Sequence, residues 1–432
     1  MIVGGSVRVP GDKSITHRAL LFAALAGGTS HLGGALTSLD ARSCARVLRQ
    51  LGAGISPLVA DRVITVTGRQ RFRRPGAILD CGNSGTTARL LLGLLAAHPF
   101  AATLTGDRSL RRRPMRRVTV PLGLMGARFE ERAKDGLPLR VRGGPLIGLR
   151  YEMPVSSAQI KSALLLAGVA GRVPVMLREP AGRSRDHTER MLRAFGYPVE
   201  ERDGWIAFAP GGRVEPFDLQ IPGDPSSAAF LVGAASLAEG GTLRILGVGV
   251  NPTRTGFLRV LARMGARVEV GAGHEAGGEP VGDLLVAPAA LRATTVSAEE
   301  IPGLIDEVPL LAVLASRAVG VTTFHEVGEL RVKESNRLEL IAANLRAVGA
   351  QAAAAGNVLR VAGSDRPPAG LVRTDGDHRI AMAFAVLGTL PGARVRVDDL
   401  SCAEVSFPRF AETLRGIRQR KRRTGAAKGS TP

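Results

Sequence analysis

The chain has 432 residues, with 58 Lys and Arg against 38 Asp and Glu and a formal net charge of +20. That length exceeds what one hydrophobic core usually serves, so two domains are expected. No aliphatic run approaches the roughly 18 residues of a membrane span, and Cys44, Cys81 and Cys402 stand far apart with no CxxC spacing, which argues against a disulfide frame or a zinc site.

A unit of roughly seventy residues recurs about six times, each copy reading as a short polar start, an aliphatic helix, a glycine stop and a β-prone run. The first copy opens at Pro10 with PGDKSITHRALLFAALAGG. Asp12 or Ser14 suits its N-cap, free N–H groups at such a start favour an anion, and Lys13, Ser14 and Arg18 add donors. The second opens at Cys81 with CGNSGTTARLLLGLLAA, whose glycines let a ligand approach the backbone. The third, MPVSSAQIKSALLLAGVAG from Met153, offers Ser156, Ser157 and Gln159, with Ser184-Arg185-Asp186-His187 expected beside it.

The fourth copy, PGDPSSAAFLVGAASLAEGG from Pro222, repeats the PGD start of the first. It marks a crossover between two halves, and the first residues of the chain are expected to pair back onto the second half. The fifth, from Ile301, places Asp306 and Glu307 in an aliphatic run, where acids are costly to bury unless paired or functional. The dense polar stretch Arg331–Arg337 follows, and the sixth copy opens at Thr374 with Asp377-His378-Arg379. Between copies a helix ends in a glycine break, at Gly52, Gly126, Gly196, Gly265 and Gly349. Helices mixed with strands make the class α/β. Ordinary capping and surface pairing explain each motif taken singly, whereas bases and acids at successive helix starts point to one doubly anionic site.

The charge raises nucleic acid as a partner. Against it, the last acid is Glu412, and the basic residues after it lie on what reads as a frayed tail. RNA-binding aromatic motifs are absent. Six of the 58 basic residues are lysine, so Lys13 and Lys333 inside polar motifs go against the chain's habit. The start MIVGGSVRVPGDKS has no signal-peptide pattern, and a cytoplasmic location is expected.

PGDKSITHRA, GNSGTTAR, TGDRSLRRRPM, SSAQIKSALL, SRDHTERML, IDEVP, RVKESNR and GDHRIAMAF, in this order, resemble the 5-enolpyruvylshikimate-3-phosphate synthase family over about residues 5 to 412. The resemblance implies two similar domains, each of three βαβαββ units, with the active site in the cleft between them. The expected boundaries are 11–222 for one domain, 1–10 plus 223–415 for the other, and 416–432 for a basic disordered tail. It implies transfer of the enolpyruvyl group of phosphoenolpyruvate to the 5-hydroxyl of shikimate 3-phosphate by addition and elimination, with no cofactor and no metal. Carried over by motif, Lys13, Ser14, Arg18, Ser157, Ala158, Gln159, Arg185, Asp306 and Lys333 should bind shikimate 3-phosphate. Lys13, Gly85, Arg113, Gln159, Arg337 and Arg379 should bind phosphoenolpyruvate. Asp306, Glu334 and Lys13 should act in catalysis. The expected partners are these two small molecules, with no membrane, no nucleic acid and a monomeric state.

Three positions depart from the family's better-known branch. Ala158 stands where it has a second serine, Glu329 where it has an asparagine, and Val405 where a lysine precedes the late Phe-Pro pair, leaving one fewer cation for phosphoenolpyruvate. Gly85 leaves room beside that site, so sensitivity to the analogue glyphosate is expected. The sister transferase acting on UDP-N-acetylglucosamine is the nearest alternative, but it has Lys-Asn in place of Lys13-Ser14, and a loop cysteine that the stretch Leu104 to Val120 lacks. An RNA-binding or RNA 3′-phosphate-processing protein is the alternative from another class.

Overall fold

The computed structural model describes residues 1–131, 135–180 and 183–419. Its helices come in six pairs: α1 (Lys13–Leu25) and α2 (Leu39–Gln50), α3 (Gly85–Ala96) and α4 (Arg116–Leu124), α5 (Ala158–Gly171) and α6 (His187–Ala194), α7 (Pro225–Ser236) and α8 (Gly256–Arg263), α9 (Val308–Ala315) and α10 (Arg337–Ala347), α11 (His378–Leu387) and α12 (Phe410–Gly416). The first helix of each pair is largely buried, and the second is shorter or more amphipathic.

One sheet pattern serves the units. In the second, Leu79–Asp80 runs parallel to Ala101–Thr105, which pairs antiparallel with Leu139–Arg142, and that strand carries Arg128–Glu131 on its edge. The chain thus reads β-α-β-α-β-β, and the third and fifth units repeat the order. In the first unit the leading strand comes from far downstream, Asp218–Gln220 lying parallel to Thr29–Gly33. In the fourth it comes from the chain start, Ser6–Arg8 lying parallel to Leu243–Gly249. The sixth departs from the expected pattern, with only Ala369–Val372 parallel to Arg394–Val397 before a 3₁₀ turn at Ser401–Val405 and α12. The 3₁₀ turn packs against α11, and Arg418–Gln419 pairs antiparallel with Ile2–Val3. Residues 416–419 of the expected tail are described, and 420–432 lie outside the described residues.

Each second helix with a following glycine break ends in the same way. Gly52, Gly126, Gly196, Gly265 and Gly349 all have positive φ, a conformation in which any side chain is strained. The residue after each glycine donates its N–H five residues back, as Ala53 does to Leu48 O at 3.1 Å and Ala350 to Leu345 O at 2.9 Å, which is the Schellman closure.

The buried apolar side chains form two clusters, one from Ile15 to Ile221 and one of Val3, Val9 and residues from Ala228 to Ile417. Packing within the first is close enough that a Cβ on Gly93 of α3 would meet the carbonyl oxygen of Ala163 in α5 at 2.0 Å. The halves are joined by two chain crossings side by side, where Asp12 N donates to Pro222 O and Asp224 N to Pro10 O, each at 2.8 Å.

Candidate functional site

Helix starts from both halves meet at a cavity of about 410 Å³. From the first half come Lys13, Ser14 and Arg18 of α1, Gly85 of α3, Arg113, Ser157 with Ala158 and Gln159 at the start of α5, and Arg185. Asp306, Lys333, Glu334 and Arg379 come from the second half. Of the residues expected from the sequence, Arg337 alone does not line this space. It is fully buried behind the wall, donating to Glu334 Oε2 at 2.6 Å and to Asp377 at 2.9 and 3.1 Å, and its Nη1 stands 3.6 Å from Asp306 Oδ1 with no hydrogen-bond partner of its own.

Local chemistry sets these positions. Asp12 caps α1 by accepting from Ile15 N at 2.9 Å, Ser84 caps α3 through Thr87 N at 3.1 Å, and Asp377 caps α11 through Arg379 N at 3.0 Å. Ser157 precedes α5 without making a side-chain cap bond. The first N–H groups of α5 therefore remain available to an anionic oxygen. Arg18 is held by Ser14 O at 2.9 Å, Thr188 Oγ1 at 2.7 Å and Ser162 Oγ at 2.6 Å, and burial pushes its pKa down to about 10.

At the Gly85 end, three guanidinium groups crowd together. Arg113 Nη2 donates to Asn83 Oδ1 at 2.8 Å, and its Nη1 lies 3.6 Å from Glu334 Oε1. Arg117 pairs with Glu329 at 3.1 Å. Arg89, which sequence reasoning missed although it ends the GNSGTTAR motif, donates to Pro114 O at 3.0 Å and to Gln159 Oε1. Burial, then the charges of Arg117 and Arg113, push Arg89 down to about 9. Like charges so close are relieved by an anion, and a guanidinium bonds two carboxylate or phosphate oxygens at once. A Cβ on Gly85 would stand 3.1 Å from Arg113 Nη1, so the glycine keeps this end open.

The two acids are set opposite these cations. Burial alone would raise the Asp306 carboxyl, but Arg379, Arg185, Lys333 and Arg337 outweigh it and hold the group well below the usual carboxylate range. Glu334 is partly buried, which would likewise raise its carboxyl, but Arg337, Arg113, His378 and Lys13 hold it well below its ordinary value. Arg185 and Asp306 form an ion pair across the cleft, and Ser109 Oγ donates to Glu334 O at 2.9 Å, so both acids are reached from the opposite half. Among the described residues no group of three or more His, Cys, Asp or Glu has the geometry of a metal site, and no helix is long and apolar enough to cross a membrane.

Of the three departures, Ala158 and Glu329 line the cavity. Val405 lies outside it, in an adjoining cleft that shares Asp40, Arg113, Val332, Lys333 and Glu334 with the cavity.

The chain is similar to known proteins over nearly its whole length. The family model described as EPSP synthase (3-phosphoshikimate 1-carboxyvinyltransferase) matches residues 2–414. The 3-phosphoshikimate 1-carboxyvinyltransferase of Halorhodospira halophila is 46% identical over 415 residues, covering 96% of this chain and 93% of its own. That of Gloeobacter violaceus is 48% identical over 421 residues, covering 96% and 97%. The solved EPSP synthase of Acinetobacter baumannii superposes with a TM-score of 0.84 at 36% identity, covering 96% of each chain. The enolpyruvyl transferase NikO of Streptomyces tendae, at 21% identity and a TM-score of 0.77 over 96% of this chain and 95% of its own, shares the fold.

Proposed function

The chain belongs to the EPSP synthase family, and from that premise we propose how its cleft carries the reaction. That reaction moves the 1-carboxyvinyl group of phosphoenolpyruvate to the 5-hydroxyl of shikimate 3-phosphate and releases phosphate, a step of aromatic amino-acid biosynthesis. The single observation that carries the reading is that acids and bases from both halves ring one cavity large enough for two small anions.

In this reading shikimate 3-phosphate lies against Lys13, Ser14, Arg18, Ser157, Ala158, Gln159 and Arg185, with Asp306 and Lys333 reaching it from the other half. Phosphoenolpyruvate takes the end formed by Lys13, Gly85, Arg113, Gln159 and Arg379, to which the cavity-lining Arg89 is added. Arg337 acts from behind the wall, where its bonds hold Glu334 and Asp377 and its Nη1 stands 3.6 Å from Asp306. Asp306 takes the proton of the 5-hydroxyl as its oxygen bonds C2 of phosphoenolpyruvate, and Glu334, helped by Lys13, delivers a proton to C3. Loss of phosphate from C2, with the C3 proton returned to Glu334, restores the double bond. Cations fixed before the substrates arrive stabilise the charge on the adduct and on the departing phosphate.

A carboxyl held this low is ionised and carries no proton to deliver, so Glu334 needs its cations occupied. Phosphoenolpyruvate bound to Arg113 does this, moving the Glu334 pKa back toward a working value. The Glu334→Gln enzyme should lose solvent-deuterium exchange into C3 of phosphoenolpyruvate by about 10²-fold or more; exchange at the wild-type rate would remove Glu334 from this role. We assign residues 11–222 to one domain and 1–10 plus 223–415 to the other, following the two apolar clusters. A cytoplasmic monomer completes the proposal.

A further inference from the structure

The polar start of the fourth unit copies that of the first in sequence, yet neither α7 nor the turn before it brings a residue to the cavity, whereas each other opening helix does so itself or, as for α9, through the turn that precedes it. Its start is occupied by the protein itself. Ser226, 4% exposed, accepts from Arg254 Nη2 at 2.8 Å and donates to Glu307 Oε1. Glu307, 2% exposed, directly follows Asp306, and the same Oε1 stands 3.7 Å from Arg379 Nη1. That nitrogen also donates to Asp306 O at 3.1 Å. In the other direction Arg254 Nη1 donates to Asp12 Oδ2 at 3.1 Å, and its Nη2 to Asp224 Oδ1 at 3.2 Å. Asp224 Oδ2 receives Lys13 N at 2.9 Å. An unbroken run of contacts therefore leads from the cap of α1 through Arg254, Ser226 and Glu307 to Arg379, and it passes through the crossing of the two halves.

We propose that Glu307 is a positioning residue for Arg379, fixing the guanidinium that receives phosphoenolpyruvate and coupling it through Ser226 and Arg254 to the interdomain crossing. The inference rests on the assignment of Arg379 to phosphoenolpyruvate. A free arginine side chain samples many rotamers, and one held in place beforehand loses less freedom on binding its anion. Glu307 depends on the same contact. Burial drives its carboxyl upward, Arg379 pulls it down, and neighbouring Asp306 pushes it up again, leaving it above its ordinary value. Its Oε2 is buried with no hydrogen-bond partner, so Ser226 and Arg379 are what oppose the cost of burying this group.

The test is steady-state phosphate release by Glu307→Ala, Ser226→Ala and the double variant, with Arg379→Gln as control. Glu307→Ala should raise KM for phosphoenolpyruvate about tenfold while KM for shikimate 3-phosphate stays within about twofold. Ser226→Ala should move the same constant in the same direction, and the double variant should be no worse than Glu307→Ala alone, because the two residues act in series. An unchanged KM for phosphoenolpyruvate in Glu307→Ala, or both KM values rising together with a lowered Tm, overturns the proposal. If Glu307→Ala does not fold, Ser226→Ala alone decides by the same criterion. Should Arg379→Gln leave KM for phosphoenolpyruvate unchanged, the underlying assignment fails and this inference with it; an effect in Arg379→Gln but none in Glu307→Ala sinks only the inference.

Discussion

Asp306 faces Arg185 from one half and Arg379 and Arg337 from its own, so it is ionised before either substrate arrives. Replacing it with asparagine keeps the shape and removes the base; kcat should fall about 10²-fold or more, and near-normal turnover would remove the assignment. A second acid tests how such pairing supports the fold. Asp186 accepts from Asn251 at 2.7 Å and from Arg190 at 3.0 Å, and although burial raises its pKa, these partners bring it from 3.8 down to about 2. The sign follows from that depression: the stabilisation is complete above the unfolded value near 3.8 and disappears as pH falls toward 2. Its size is about 2 kcal/mol. Denaturant melts of wild type and Asp186→Asn should therefore converge on acidification through this window, and a gap that stays constant to pH 2 would contradict the linkage.

At the scale of elements, the helix starts were legible because capping is local: Asp12, Ser84 and Asp377 announce their helices with neighbouring residues alone. The glycine breaks were legible for the same reason. At Gly349 a Cβ would meet no atom within 4 Å, so Gly349→Ala isolates the backbone cost of φ +90°. It should lower stability by about 1 kcal/mol, and a melt with unchanged midpoint would contradict the Schellman reading. What the sequence hid was non-local. The strand leading the first unit is Asp218–Gln220, a pairing that no local periodicity announces. Arg254 is a single arginine in an arginine-rich chain, and only its burial between Asp12 and Asp224 distinguishes it. Arg89 ends a motif that reads as ordinary helix, and Arg337 was expected to face the cavity because spacing does not reveal which side of a wall a side chain occupies.

Across the whole molecule, the halves are held together around the cavity by charge pairs of unequal weight. Arg117–Glu329 spans the cleft at 3.1 Å, but Glu329 is 41% exposed, and such pairs contribute about 0–1 kcal/mol. Glu329→Asn, which restores the residue expected from the better-known branch, should therefore change KM for either substrate by less than about fivefold; a larger change would show that this pair controls closure. Arg185–Asp306 is mostly buried, and breaking one partner of a buried pair leaves the other uncompensated. The net charge of +20 suggested nucleic acid, but in the folded chain the cations that matter converge on a cavity sized for small anions. The most direct measurement of the central claim is phosphate release from phosphoenolpyruvate with shikimate 3-phosphate or UDP-N-acetylglucosamine as acceptor. Release should require shikimate 3-phosphate; release with UDP-N-acetylglucosamine alone, or none with shikimate 3-phosphate, would contradict the account.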